Sequence, residues 1–126
     1  MKVAVLIVPS LLLSACGDGN NYDPELSVLS DEVLGPSCGF SSCHGGGAGS
    51  LTLDGVSDHE NLVGVESAQL EGAVLVVAGD PDSSYLVQKL EDAAGIEGDP
   101  MPIGGTLDDL RLEQVRAWIE EGAQDN

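Results

Sequence analysis

The chain has 126 residues, a length that suits one small domain with a short additional segment. Its 22 acidic residues outnumber its four basic residues and give a formal net charge of −18 at pH 7. A surface of this sign repels nucleic acid and anionic lipid headgroups, so both are excluded as direct partners. This charge either favours a protein partner with a basic patch or serves mainly to keep an exported surface soluble.

The N-terminal residues have the pattern of an export signal. A short positive start precedes an apolar run over residues 3–13, which is too short to span a bilayer permanently. Cys16 directly follows a small-residue site and resembles the lipid-accepting cysteine of bacterial lipoproteins. We predict a signal peptide over residues 1–15, a lipid anchor on Cys16, and a place in the bacterial cell envelope, on the periplasmic face or in the outer membrane. A plain secretory signal is the alternative.

A flexible tether is predicted after the leader, over residues 16–29, because this stretch is rich in Gly, Asn and Asp and has no periodicity. The folded domain is then expected over residues 30–126. Ser30 is expected to cap a short first helix, which Gly35-Pro36 would end.

The middle of the domain gives weaker signals. The glycine-rich run 45–50 predicts an irregular loop. One helical turn is expected at residues 58–62, capped by Ser57. The short apolar run 74–78 predicts a buried strand or an extended segment.

Two further helices are predicted in the C-terminal half. Asp80 would cap the first, with Pro81 at its first helical position and Leu86 and Leu90 on one face. A glycine-rich loop over residues 95–105 separates the two helices.

The last helix has the clearest signals in the chain. Thr106 and Asp109 resemble a capping box, and Gly122 is expected to end the helix. Its apolar residues fall near helical spacing: Leu107, Leu110, Val115, Trp118 and Ile119. The elements together predict a small, mainly α domain with long glycine-rich loops.

The strongest candidate site is the segment that contains Cys38, Cys43 and His44. Two thiols followed at once by an imidazole is the arrangement that attaches a c-type haem, in which the thiols bond the two vinyl groups and the imidazole binds iron. Here four residues separate the cysteines instead of two, and a bulge of the loop could absorb them without moving His44 relative to Cys43. A Cys38–Cys43 disulfide is the alternative in an oxidising compartment.

Met101 is the candidate for the second axial ligand, because a haem with histidine on one face commonly takes methionine on the other. It lies in the glycine-rich loop, and Pro102 fixes the backbone beside it. The alternatives are a core-filling methionine, or a soft-metal site, for copper, that uses Met101 with Cys38, Cys43 and His44. His59 is expected to be exposed and is a reserve axial ligand.

Several short blocks, in this order, resemble the small c-type cytochrome domains of the planctomycete type, which also occur on bacterial lipoproteins. The resemblance covers residues 37–123 and rests on residues 37–46, 61–65, 78–87, 101–102 and 118–123. It implies a small class I-like cytochrome c fold. It also implies thioethers at Cys38 and Cys43, His44 as the proximal ligand and Met101 as the distal ligand.

These observations predict a monohaem c-type cytochrome that carries electrons, with covalent haem c whose iron is held by His44 and Met101. A six-coordinate haem leaves no open position for a substrate, so we predict a carrier and not an enzyme. The expected partner is a redox protein, and one with a basic patch would suit the acidic surface; the membrane is reached through the lipid on Cys16. The alternative is a haem-free lipoprotein module in which a Cys38–Cys43 disulfide serves binding or structure.

Overall fold

The computed structural model describes residues 24–126, so the predicted signal peptide and the lipid site Cys16 lie outside the described residues. Within this range the protein is mainly helical, with 41% of the residues in helices and no strand. No helix of residues 24–126 has both the length and the apolar character needed to cross a membrane.

The helices are short and are joined by long loops. They are α1 (Leu26–Leu29), a π-helical segment (Ser30–Leu34), α2 (Gly35–Cys38), two 3-10 turns (His44–Gly46 and Ala48–Ser50), α3 (Asp58–Leu62), α4 (Tyr85–Leu90) and α5 (Asp109–Glu120).

The first helical stretch differs from the prediction at both ends. It begins at Leu26, before the predicted domain start at residue 30, and it continues through Gly35 and Pro36 as far as Cys38. The helix continues beyond Gly35 because the Gly35 N–H donates to the carbonyl of Ser30 in a π-type turn. A Cβ at position 35 would lie 2.8 Å from that carbonyl oxygen, so glycine allows the wide turn to close.

Ser30 is part of this stretch and is not its cap. Its side chain is buried, and its hydroxyl donates to Oδ2 of Asp58 at 2.7 Å. Instead, Asn126 caps the start of α1. Its Oδ1 accepts a hydrogen bond from the Leu26 N–H at 2.9 Å, and its backbone carbonyl accepts one from the Ser27 N–H at 2.9 Å. The helix start therefore depends on a residue a hundred positions away in the sequence.

The core is one cluster that α5 and the first helical stretch share with the middle loops. Trp118 is 1% exposed, and its indole N–H donates to the carbonyl of Gln124 at 2.9 Å, which confirms its predicted place in the core. The other buried apolar residues are Leu26, Leu29, Val33, Leu34, Leu53, Leu62, Val76, Val87, Leu90, Val115, Ile119 and Ala123.

The middle segments follow the predictions in outline. Helix α3 occupies the predicted residues 58–62, but the Ser57 side chain makes no capping bond. Oδ1 of Asp54 accepts from the N–H groups of Val56 and Ser57 and organises the turn in its place. The run 74–78 forms no strand, and its bridges are two isolated ones, Val63 with Val76 and Glu66 with Val74.

Helix α4 begins at Tyr85, five residues after the predicted cap Asp80. Oδ1 of Asp80 accepts from the Ser83 N–H, which forms a separate turn. Ser84 then has an extended backbone, and its hydroxyl donates to the carbonyl of Asp80 at 2.8 Å. Asp80-Pro81 therefore starts a turn that precedes the helix.

Helix α5 agrees closely with the prediction except at its cap. Asp108 takes the cap position, and its Oδ1 accepts from the Arg111 N–H at 3.0 Å, so the predicted capping box of Thr106 and Asp109 does not form. Gly122 follows the helix with a φ of 110°, a conformation that favours glycine.

Asp58 joins three segments through one buried carboxylate, which is 3% exposed. Besides the Ser30 hydroxyl, its Oδ1 accepts from the backbone N–H groups of Asp54 at 2.8 Å and Gly55 at 3.0 Å. The first helical stretch, the loop at 54–57 and α3 are thus fixed to one another.

We predict that Asp58→Ala lowers the free energy of unfolding by about 3 kcal/mol, because three donors lose their acceptor in a buried place. Asp58→Asn is the matched control, since the amide oxygen still accepts from both N–H groups, and about 1 kcal/mol is expected. Urea unfolding of the three proteins measures the difference. Equal losses in the two variants would show that the hydrogen bonds of Asp58 are not what stabilises this junction.

Candidate functional site

The segment between the two cysteines is a compact, hydrogen-bonded turn. Cys38 ends α2, and the Gly39 N–H donates to the carbonyl of Leu34 at 2.8 Å. The carbonyl of Phe40 then accepts from the N–H groups of Cys43 at 2.8 Å and Gly45 at 3.0 Å. The four intervening residues therefore fold back on themselves.

The glycines after His44 are required for this turn. A Cβ at Gly45 would lie 2.2 Å from the carbonyl oxygen of Gly39, and one at Gly46 would lie 2.1 Å from that of Ser41. Because real Cβ contacts are never this short, only glycine allows the chain to cross itself here.

Both cysteines of the turn are free thiols in the structure, Cys38 half-buried and Cys43 exposed. Burial raises the pKa of the Cys38 thiol to about 11, and negative charge at Cys43 and Asp58 adds to the rise. Cys38 is therefore protonated at neutral pH.

The imidazole of His44 is half-buried and oriented by the backbone. Its Nδ1 donates to the carbonyl of Leu51 at 3.2 Å; a carbonyl only accepts, so the hydrogen of the neutral ring lies on Nδ1. Nε2 then keeps its lone pair for a metal, which is how ligand histidines are usually held. The Leu53 N–H also donates to the carbonyl of His44 at 3.0 Å, which fixes the backbone.

Met101 is half-buried and packs against the core cluster, as Cys38 does. Its N–H donates to the carbonyl of Lys89 at 2.9 Å, and the peptide bond to Pro102 is cis. The loop after α4 thus brings Met101 onto the domain and does not leave it at an exposed tip.

Lys89 is the residue of this region that the sequence reasoning missed. It is 5% exposed, and its ammonium donates to the backbone carbonyls of Glu97 at 2.7 Å and Asp99 at 2.5 Å. A signal was available, because Lys89 is the one lysine that follows the leader.

His59 differs from the prediction of an exposed histidine. It is half-buried, and its Nε2 donates to the carbonyl of Ala123 at 2.9 Å, which ties α3 to the C-terminal tail. The hydrogen of the neutral ring then lies on Nε2, so this nitrogen serves the contact with the C-terminal tail.

The described residues contain no group of three or more His, Cys, Asp or Glu side chains that could hold a metal ion. Cys38, Cys43 and His44 therefore do not converge as three ligands of one ion.

Two surface cavities have volumes of about 340 and 380 Å³, and the second is lined in part by Gly39, which directly follows Cys38. The first lies beside the start of α5, at Arg111 and Gln114, and the second between the first helical stretch and residues 53–55. Neither is lined by Cys43, His44 or Met101.

The donor set fits a covalently attached haem: two thiols, an imidazole with a free Nε2 and a thioether. The loop that follows His44 presents little bulk beside the imidazole, where a Cβ at Gly49 would lie 3.8 Å from Cε1. The chain matches no protein-family model, no curated protein and no solved structure, so its function is inferred from this donor set.

The raised pKa of Cys38 predicts unequal reactivity of the two thiols in the reduced, haem-free chain. At pH 8 iodoacetamide should label Cys43 at least about tenfold faster than Cys38, because the thiolate is the nucleophile. As the pH approaches 11 the Cys38 thiolate forms and its rate should rise. Peptide mass spectrometry measures both rates.

The same labelling in urea is the control, since unfolding removes the burial and the two rates should converge. Equal rates in the folded chain at pH 8 would contradict the burial of Cys38.

Proposed function

We propose that this protein is a monohaem c-type cytochrome of class I-like fold that carries electrons, anchored in the bacterial cell envelope by lipid on Cys16. The observation that carries the proposal is a hydrogen bond in which the Nδ1–H of His44 donates to the carbonyl of Leu51. His44 directly follows Cys43, whose thiol is exposed. This bond holds the ring in the tautomer that an iron ligand requires.

The two thiols are suited to thioether attachment. Each sulfur would bond one carbon of a vinyl group while the thiol hydrogen passes to the other carbon, so no oxidant is needed. Cys43 is exposed and accessible, and Cys38 is half-buried. The four residues between them form a hydrogen-bonded turn, so the wider gap is folded compactly.

Haem, when bound, supplies one-electron transfer between ferrous and ferric iron. The residues of this chain would bind and orient it: Cys38 and Cys43 by covalent bonds, His44 through Nε2, and Met101 through its thioether. A methionine ligand raises the reduction potential relative to histidine alone. With both axial positions supplied by the protein, the chain serves as a carrier and not as an enzyme.

The acidic surface supports a protein partner of opposite charge. With a net charge of −18, the chain would attract a redox protein that carries a basic patch, and the association would weaken as salt rises. Nucleic acid is not proposed as a partner, and contact with the membrane is proposed through the lipid alone.

The decisive experiment is expression with haem-attachment machinery, followed by a pyridine haemochrome spectrum and the intact mass of the purified chain. We expect a haem adduct that survives denaturation in the wild type, and its loss in the Cys38→Ser, Cys43→Ser double variant. Cys16→Ser is the matched control, because it removes the lipid and leaves the haem. A colourless wild type that is two hydrogens lighter than the reduced chain would instead establish the disulfide alternative.

Substitution of Met101 tests the distal ligand. Met101→Leu keeps an apolar side chain of similar size and removes the sulfur, so the midpoint potential should fall by on the order of 100 mV, within the roughly 0.8 V that axial ligands span. Redox titration of the haem-loaded protein measures the shift. An unchanged potential would show that Met101 is not a ligand.

A further inference from the structure

The loop from α4 to Met101 is held by one face of α4. Tyr85 and Lys89 are four residues apart and therefore lie on the same side of this helix. Both are buried, at 2% and 5% exposure. The Tyr85 hydroxyl and the Lys89 ammonium both contact the loop between α4 and Met101.

Four hydrogen bonds join this face to the loop. The Tyr85 hydroxyl accepts from the Glu97 N–H at 2.9 Å, and the Lys89 ammonium donates to the carbonyls of Glu97 at 2.7 Å and Asp99 at 2.5 Å. The carbonyl of Lys89 accepts from the Met101 N–H at 2.9 Å. Lys89 therefore holds the loop from both its side chain and its backbone.

The ammonium of Lys89 makes the loop conformation specific. A buried charge must be hydrogen-bonded, and backbone carbonyls supply the acceptors here. Opening the loop would leave the ammonium without them, so the loop and the lysine are stabilised together. The peptide groups that it binds lie four and two residues before Met101, close enough to fix where that residue emerges.

Resting on the proposed function, we infer that Lys89, supported by Tyr85, is a positioning residue for Met101. It holds the loop so that the thioether is presented as the distal ligand and stays there through the redox cycle. We call this arrangement the clamp: the buried ammonium of Lys89 bound to the backbone carbonyls of Glu97 and Asp99.

Amide hydrogen exchange on the purified full chain tests the clamp, with all variants in the same haem state. Lys89→Met keeps the aliphatic stem and removes the charge, and it should speed exchange at the Met101 amide by at least about tenfold while α5 amides stay protected. Tyr85→Phe should speed exchange chiefly at Glu97, and it provides the test should Lys89→Met not fold.

Arg116→Met is the matched control. This substitution also removes a cation. The Arg116 guanidinium pairs with Asp82 and with Glu91, which lies at the start of the same loop, but it makes none of the four hydrogen bonds. It should leave exchange at Met101 unchanged. Equal exchange at Met101 in wild type and Lys89→Met would overturn the clamp.

The haem-loaded proteins test the positioning role. In Lys89→Met the absorption band of methionine–iron coordination should weaken and the midpoint potential should fall, with both unchanged in Arg116→Met. Faster exchange with an unchanged band and potential would overturn the role in ligand positioning. A wild type without haem would overturn the proposed function, and the exchange result would still decide on the clamp.

Discussion

The buried carboxylate of Asp58 joins the helical stretch that ends at Cys38 to the loop and helix that follow His44. A buried charge is tolerated only where donors surround it, so the Ser30 hydroxyl and the two backbone N–H groups cannot withdraw independently. The position of α2 relative to the following loop depends on this junction. Because α2 carries one thiol of the candidate site, the geometry of that site depends on it as well.

A second buried charge, of opposite sign, has the same function in the loop that contains Met101. The ammonium of Lys89 holds the Met101 loop as Asp58 holds the segments around the cysteines. A small domain with few aromatic residues has a thin apolar core, and such domains require additional constraints. In this chain the constraints include buried charges satisfied by backbone groups.

Both proposed axial ligands are thus held by hydrogen bonds to backbone groups of other residues. His44 is fixed by the Leu51 and Leu53 contacts, and Met101 by Lys89. An electron carrier benefits from ligands that stay in place when iron changes charge, since little of the protein must then reorganise. The turn between Cys38 and Cys43 extends this rigidity, because its crossing depends on Gly45 and Gly46 and leaves no room for side chains.

The sequence by itself determined what neighbouring residues decide: the Cys43-His44 pair, the place of Trp118 in the core, and α5 with its end at Gly122. These follow from spacing and local backbone preference. The tertiary structure alone decided what distant partners control. The Ser30 hydroxyl donates to Asp58, which lies 28 residues later in the sequence. The His59 ring donates to the carbonyl of Ala123, which lies 64 residues later. The burial of Lys89 was missed for the same reason, because the acceptors of its ammonium cannot be recognised from adjacent residues. The early start of α1 at Leu26 was missed because its cap is supplied by Asn126.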